Sequence, residues 1–269
     1  GSVIPFLAVI ALLLAAGMAD GLPPVATKIG FIVVALWWLA FAIPMLKNVR
    51  QVHYLPASAA PLRDSFVRLF TTFRQIRRHR RAFLFLLSYF FYIDGVDTII
   101  TMAMAYGRDL GFGVTLLIVV LLFIQVVAFP FALLYGRLAV RFSARTMLLA
   151  GIAVYALVTL IAFLLPSIAD LRLRTLAFWG LAFLVASSMG GIQALSRSYF
   201  GKLIPAENSS EFFGFYNVFG KFAAITGPFL MGVVGRLTGD TRWGVLSILI
   251  LFVIGAWLLG RVEDDGADA

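Results

Sequence analysis

Two carboxylates three residues apart, inside an otherwise apolar run, are the groups of this chain best suited to chemistry. They are Asp94 and Asp97, in Tyr92-Ile93-Asp94-Gly95-Val96-Asp97-Thr98. That spacing puts both on one face of a helix. A charge at the centre of a bilayer costs about 2.5–3.5 kcal/mol on insertion scales, so such groups turn toward a cavity or a partner. Asp94 lies about 18 Å along a helix that starts at Ala82, near the midplane of a core about 30 Å thick. Lys221 sits inside a later apolar run, about 15 Å past Glu211 on the same reckoning. Matched depth and opposite charge predict that Asp94 and Lys221 face each other. Such a pair is a structural staple, or a coupling device if a proton or a substrate displaces one partner.

Composition decides the medium. The 269 residues are 62% hydrophobic and 13% charged, with a mean hydropathy of +0.99. A soluble domain is roughly 45–50% apolar and about 25% charged, so a soluble enzyme and a disordered chain are excluded. The chain has no cysteine, hence no disulfide and no thiolate. His53 and His79 are too little for a zinc site, and we expect no metal and no cofactor. The net charge of +9 raises nucleic acid as a partner. Yet nine of the 22 basic residues fall between Lys47 and Arg81, which a cytoplasmic loop explains without nucleic acid.

Eight stretches are long and apolar enough to span: 3–18, 29–46, 82–106, 114–135, 146–165, 175–193, 212–234 and 243–259. The first lacks the basic lead-in of a signal peptide and reads as a plain helix. With the 47–81 loop cytoplasmic, 15 basic residues lie inside and six outside, which places both termini inside. The expected fold is all-α and membrane-integral. Residues 1–46 hold two spans, 47–81 a basic linker, 82–262 a six-span unit and 263–269 an acidic tail. The abrupt apolar start predicts a chain that lacks further N-terminal spans.

Other residues refine the site. Gly190 and Gly191, in Ser187-Ser188-Met189-Gly190-Gly191-Ile192-Gln193, and Gly227-Pro228 near Lys221 are expected as helix breaks lining a cavity. Close packing through small residues is the competing reading. Gln193, Asn217 and Gln125 are further cavity candidates. The segment 136–145, with Gly136, Arg141 and Arg145, reads as a short basic turn between two spans. Within the linker, Leu62, Phe66, Leu69, Phe70, Phe73 and Ile76 recur at helical spacing among Arg63, Arg68, Arg74, Arg77 and Arg78. This predicts an amphipathic helix over 62–81, held on an anionic inner leaflet.

These residues resemble the major facilitator superfamily, and within it the vacuolar amino-acid effluxers and their bacterial homologues, the autophagy-related permease group. The resemblance rests on residues 92–99, on Gly190-Gly191-Ile192-Gln193-Ala194-Leu195-Ser196-Arg197-Ser198, and on Glu211-Phe212-Phe213-Gly214-Phe215-Tyr216 running to Gly220-Lys221 and Gly227-Pro228. It covers most of the six-span unit, while the first two spans carry no comparable signature. It implies a twelve-helix fold with these eight as helices five to twelve, and alternating access around a cavity bearing Asp94, Gln193 and Lys221. The 136–145 segment resembles the superfamily's cytoplasmic-loop motif, but Val140 stands where an acid is usual and Ser143 where glycine is usual.

The expected function is secondary transport of a small organic solute, with amino acids the class the resemblance implies, coupled to protons by symport or antiport. Asp94 and Asp97 are the coupling candidates, with Lys221, Gln193 and Asn217 beside the substrate. Two rivals stand. One is a non-transporting fragment or scaffold. The other is a membrane-embedded lipid-head-group enzyme, which would need a third carboxylate that the Asp-Gly-x-Asp run lacks. The excess of Arg over Lys points to a bacterial inner membrane, with a vacuolar membrane the eukaryotic counterpart.

Overall fold

The computed structural model describes residues 3–17, 23–49, 61–205 and 209–262. In lipid every backbone N–H and C=O must find its partner within the segment, and long apolar runs therefore close into helices. The elements are α1 (Val3–Ala15), α2 (Pro24–Asn48), α3 (Pro61–Arg78), α4 (Arg80–Asp109), α5 (Val114–Phe142), α6 (Ala144–Leu164), α7 (Leu171–Leu203), α8 (Ser209–Thr238), α9 (Thr241–Ser247) and α10 (Leu249–Leu259). A single 3-10 turn, Leu165–Ser167, links α6 to α7. Among the described residues there is no strand.

Seven of the eight expected spans are long and apolar enough to cross a membrane, with α9 and α10 together forming the last. The eighth, α1, is apolar but only 13 residues long, about 20 Å of helix. The acidic tail 263–269 and residues 50–60 of the linker lie outside the described residues.

The six-span unit is built around α4 and α7. Helix α7 packs along α5 and α6, while α4 packs along α8 and α10. Buried hydroxyls tie these neighbours together. Ser88 Oγ donates to Gly255 O at 2.7 Å, Tyr106 Oη to Ala162 O at 2.6 Å, and Tyr135 and Ser188 share a bond of 2.9 Å. Helix α2, by contrast, leaves Phe31, Trp38 and Phe41 largely exposed, a face suited to lipid or to further helices.

The 136–145 segment is mostly helix and not a turn. Helix α5 continues to Phe142, and Ser143 alone connects it to α6. At φ 71° and ψ 150°, Ser143 occupies a region that favours glycine, which gives the physical reason for the residue usual there. Its hydroxyl compensates in part by accepting from Thr146 N at 3.2 Å, as a helix N-cap. Arg145 reaches across to the end of α10. Its Nε donates to Leu259 O at 3.2 Å, and its Nη2 to Gly260 O.

At the opposite end, Arg174 performs a similar task. Its Nε and Nη2 donate to Ile168 O at 2.9 and 2.6 Å, and its Nη1 to Leu110 O at 3.3 Å. Both arginines satisfy carbonyls that helix ends leave unpaired.

The strain at Ser143 predicts a stabilising change. Replacing a capping serine with glycine costs only a few tenths of a kcal/mol, whereas strain of this kind costs about 1–3 kcal/mol. Ser143→Gly is expected to raise the thermal midpoint of the purified protein by about 2–4 °C, measured by intrinsic fluorescence. An unchanged or lower midpoint would contradict the assigned strain.

Candidate functional site

Asp94 is fully buried at the middle of α4. Its Oδ1 accepts from the Gly227 backbone N–H of α8 at 2.8 Å. Thr98, one turn along α4, offers its hydroxyl to the same oxygen at 3.5 Å, and the Thr226 side chain lies close to the carboxyl. The other oxygen, Oδ2, is buried without a hydrogen-bond partner. The sequence around Gly227 favours this close contact. Pro228 has no N–H, and its ring presses on the carbonyl four residues back, which loosens the turn it sits in. Glycine then lets the backbone approach: a Cβ at position 227 would overlap Thr98 Oγ1 and sit 2.8 Å from Asp94 Oδ1.

This arrangement corrects the expected pair. Asp94 does not bond Lys221, which is exposed on α8. Contact with Asp94 is made at Gly227, six residues further along, or about 9 Å of helix. Depth counted from the helix ends misled, because tertiary contact sets the register of α4 against α8. Lys221 is instead the basic group whose charge acts on Asp97.

Asp97 lies one turn beyond Asp94 and borders a cavity of about 380 Å³. That volume suits a small organic molecule. The wall is mainly apolar, with Met102, Leu117, Phe178, Met189 and Met231, while Asp97, Thr98, Gln125, Thr159 and Gln193 supply polar atoms. Phe6 of α1 also contributes. Gln193 and Gln125 therefore meet Asp97 at one cavity, as does Thr98, whereas Asn217 and Lys221 are not among its lining residues. Those two lie one turn apart on an exposed face of α8. The hydroxyl of buried Tyr155 has no partner, and the charge of Asp97 acts on it.

The expected helix breaks are absent where they were placed. Helices α7 and α8 run continuously through Gly190, Gly191, Gly227 and Pro228. The glycines permit close approach instead. A Cβ at Gly190 would sit 2.8 Å from Ala132 Cβ, and one at Gly191 would overlap the Tyr135 ring. The interrupted span is the last, at Ile248, which borders the cavity and has no glycine or proline beside it to signal a break. Gly136 and Arg141 are exposed at the far end of α5, away from the cavity, and Arg141 lies 5.4 Å from the Phe142 ring.

Sequence reasoning missed several participants. Thr98 was discoverable as the residue four beyond Asp94, the spacing that shares a helix face. The stack of Tyr89 on Tyr216, with centroids 4.2 Å apart, and the bond of 2.6 Å between Tyr92 Oη and Ser196 Oγ join elements distant in sequence and left no local signal.

A family model described as "Vacuole effluxer Atg22 like" matches residues 1–267. The chain belongs to that family. It is 49% identical over 268 residues to a Bacillus subtilis protein named as an uncharacterized MFS-type transporter, YxiO, covering 98% of this chain and 61% of that protein. It is 28% identical to autophagy-related protein 22 of Cryptococcus neoformans, over 84% of this chain and 44% of that protein. Against autophagy-related protein 22 of Coccidioides immitis the identity is 25%, over 88% of this chain and 43% of the relative. The chain thus spans about two fifths to three fifths of the length of these relatives. No solved structure matches it at a significant level. Membership of this family and seven apolar helices among the described residues make it an integral, multi-pass membrane protein of all-α fold.

The contact of Gly227 with Asp94 and Thr98 predicts a specific sensitivity. Gly227→Ala is expected to destabilise the protein by about 1–3 kcal/mol through overpacking, read as a lower thermal midpoint. Adding Thr98→Ala removes the nearest obstacle and should recover part of the loss. Gly232→Ala, where nothing lies within 4 Å, is the neutral control. Equal tolerance at 227 and 232 would refute the close approach.

Proposed function

We propose that this chain forms part of a secondary transporter that moves a small organic solute by alternating access, driven by protons. Its helices correspond to helices five to twelve of a major facilitator fold, with residues 1–46 ending one half, 47–81 linking the halves and 82–262 forming the other. Amino acids are the candidate solutes, by resemblance to the effluxer family. The chain's positive-inside pattern supports a cytoplasmic linker, and its Arg-rich composition a bacterial plasma membrane.

One observation carries the reading: a carboxyl at the centre of a membrane helix, fully buried, with one oxygen holding α8 and the other without a partner. An unsatisfied buried acceptor costs about 1–3 kcal/mol, which makes Oδ2 the oxygen open to a proton. A proton on Oδ2 neutralises the charge and weakens the charge-assisted bond from Gly227 N–H. Helix α8 is then released at the turn that Pro228 has already loosened. Asp97 borders the cavity, and Lys221, which stands outside its lining on the exposed face of α8, acts on Asp97 by charge, so the pair would act on a solute that bridges the cavity and that face. Gln193 offers a neutral hydrogen bond within the cavity, and Asn217 one on the α8 face beside Lys221.

Two outcomes test this in proteoliposomes of the full-length protein. Asp94→Asn keeps an oxygen for Gly227 N–H but cannot carry a proton. It should abolish uptake driven by a pH gradient while leaving solute counterflow. Unchanged pH-driven uptake removes Asp94 from the mechanism. Lys221→Gln should raise the KM for a carboxylate-bearing solute about tenfold or more, the loss of one charge-assisted bond, with little effect on kcat.

A further inference from the structure

Helix α3 carries more apolar surface than the bundle covers. One edge is packed: Ile76 and Thr72 are buried, Phe73 lies 6.1 Å from the Phe83 ring and 5.8 Å from the Phe215 ring, and Thr72 Oγ1 donates to Glu211 Oε2 at 3.4 Å. The adjoining flank is bare. Phe70 is 78% exposed and Val67 55% exposed. Arg74, Arg77 and Arg78 are exposed around them. At 100° per residue Phe70 falls between the packed edge and Arg74, with Arg77 on its own side. The side chains of Leu62, Arg63, Phe66 and Arg68 lie outside the described residues.

The position of α3 decides what covers that flank. It ends at Arg78, and α4 begins at Arg80 and turns apolar at Ala82. The C-terminal end of α3 therefore lies at the membrane–water boundary, since the next residues enter the hydrocarbon. A helix at that level with an aromatic flank and a row of arginines matches a leaflet that is apolar within and anionic at its surface. Long arginine side chains lay their stems along apolar surface and keep their heads among phosphates. We propose that α3 is an interfacial anchor, inserting Phe70 into the inner leaflet and binding anionic phospholipid head groups through Arg74, Arg77 and Arg78. Through Thr72 and Phe73 the same helix also touches the start of α8, the helix that contacts Asp94. The anchor itself does not depend on the transport reading.

The chain has no cysteine, so Phe70→Cys provides a unique site in it for a nitroxide label, and Thr71→Cys, on the polar flank, provides the control. The full-length protein, with any cysteine outside this chain replaced, is placed in nanodiscs of phosphatidylcholine with or without phosphatidylglycerol. At position 70 the label should be accessible to oxygen and shielded from a water-soluble nickel chelate, and at position 71 the reverse. Each of Arg74→Gln, Arg77→Gln and Arg78→Gln should weaken retention of phosphatidylglycerol roughly fivefold, read by native mass spectrometry. A label at 70 open to nickel in both lipids overturns the proposal in favour of a cytosolic face. A label shielded from both reagents overturns it in favour of cover by protein. Retention unchanged by all three substitutions removes the arginines from the site.

Discussion

The packing of α4 against α8 turns on one bond across the helix pair. A carboxyl at the centre of α4 takes a backbone N–H from α8, and every element nearby is arranged to make that contact. Glycine is required at 227 because any side chain there would occupy the space of Thr98 and Asp94. Proline at 228 loosens the turn. Phe252 of α10 backs Gly95 closely enough that a Cβ there would sit 2.7 Å from its ring, fixing the opposite side of α4. Local geometry thus satisfies one oxygen of a carboxyl taken out of water and leaves the other unsatisfied, with no opposite charge bonded to it.

That solution differs from the one charge counting suggests, and the difference shows what a sequence can disclose. The spans, their order and the amphipathic helix of the linker are legible because each depends on local composition over a dozen or more residues. The importance of Asp94 is legible for the same reason: a carboxylate in an apolar run stands out against its surroundings. Its partner is not legible. Register between α4 and α8 follows from many side-chain contacts, and a shift of six residues separates Lys221 from Gly227. Glycine pairs signal either a broken helix or a close one, and only the facing residues decide. At Gly190 and Gly191 those are Ala132 and Tyr135, about sixty residues away, and they decide for closeness. Ile248 interrupts its span with no sequence signal that we recognise.

The cavity shows the same division. Asp97, Gln125 and Gln193 could be named in advance as polar residues in apolar helices. Their assembly with Thr159 and a methionine-lined wall required the fold. Methionine adapts its shape at little cost, so such a wall can adjust its outline.

The arginines at the two ends of the unit have a further consequence. Arg145 and Arg174 fasten helix ends through backbone carbonyls. A guanidinium keeps its charge across the physiological range, and a carbonyl has no proton to exchange. Acidification therefore leaves these clasps unchanged: α6 stays fastened to the end of α10, and α7 to the end of α4, whatever the protonation of the carboxyls between them.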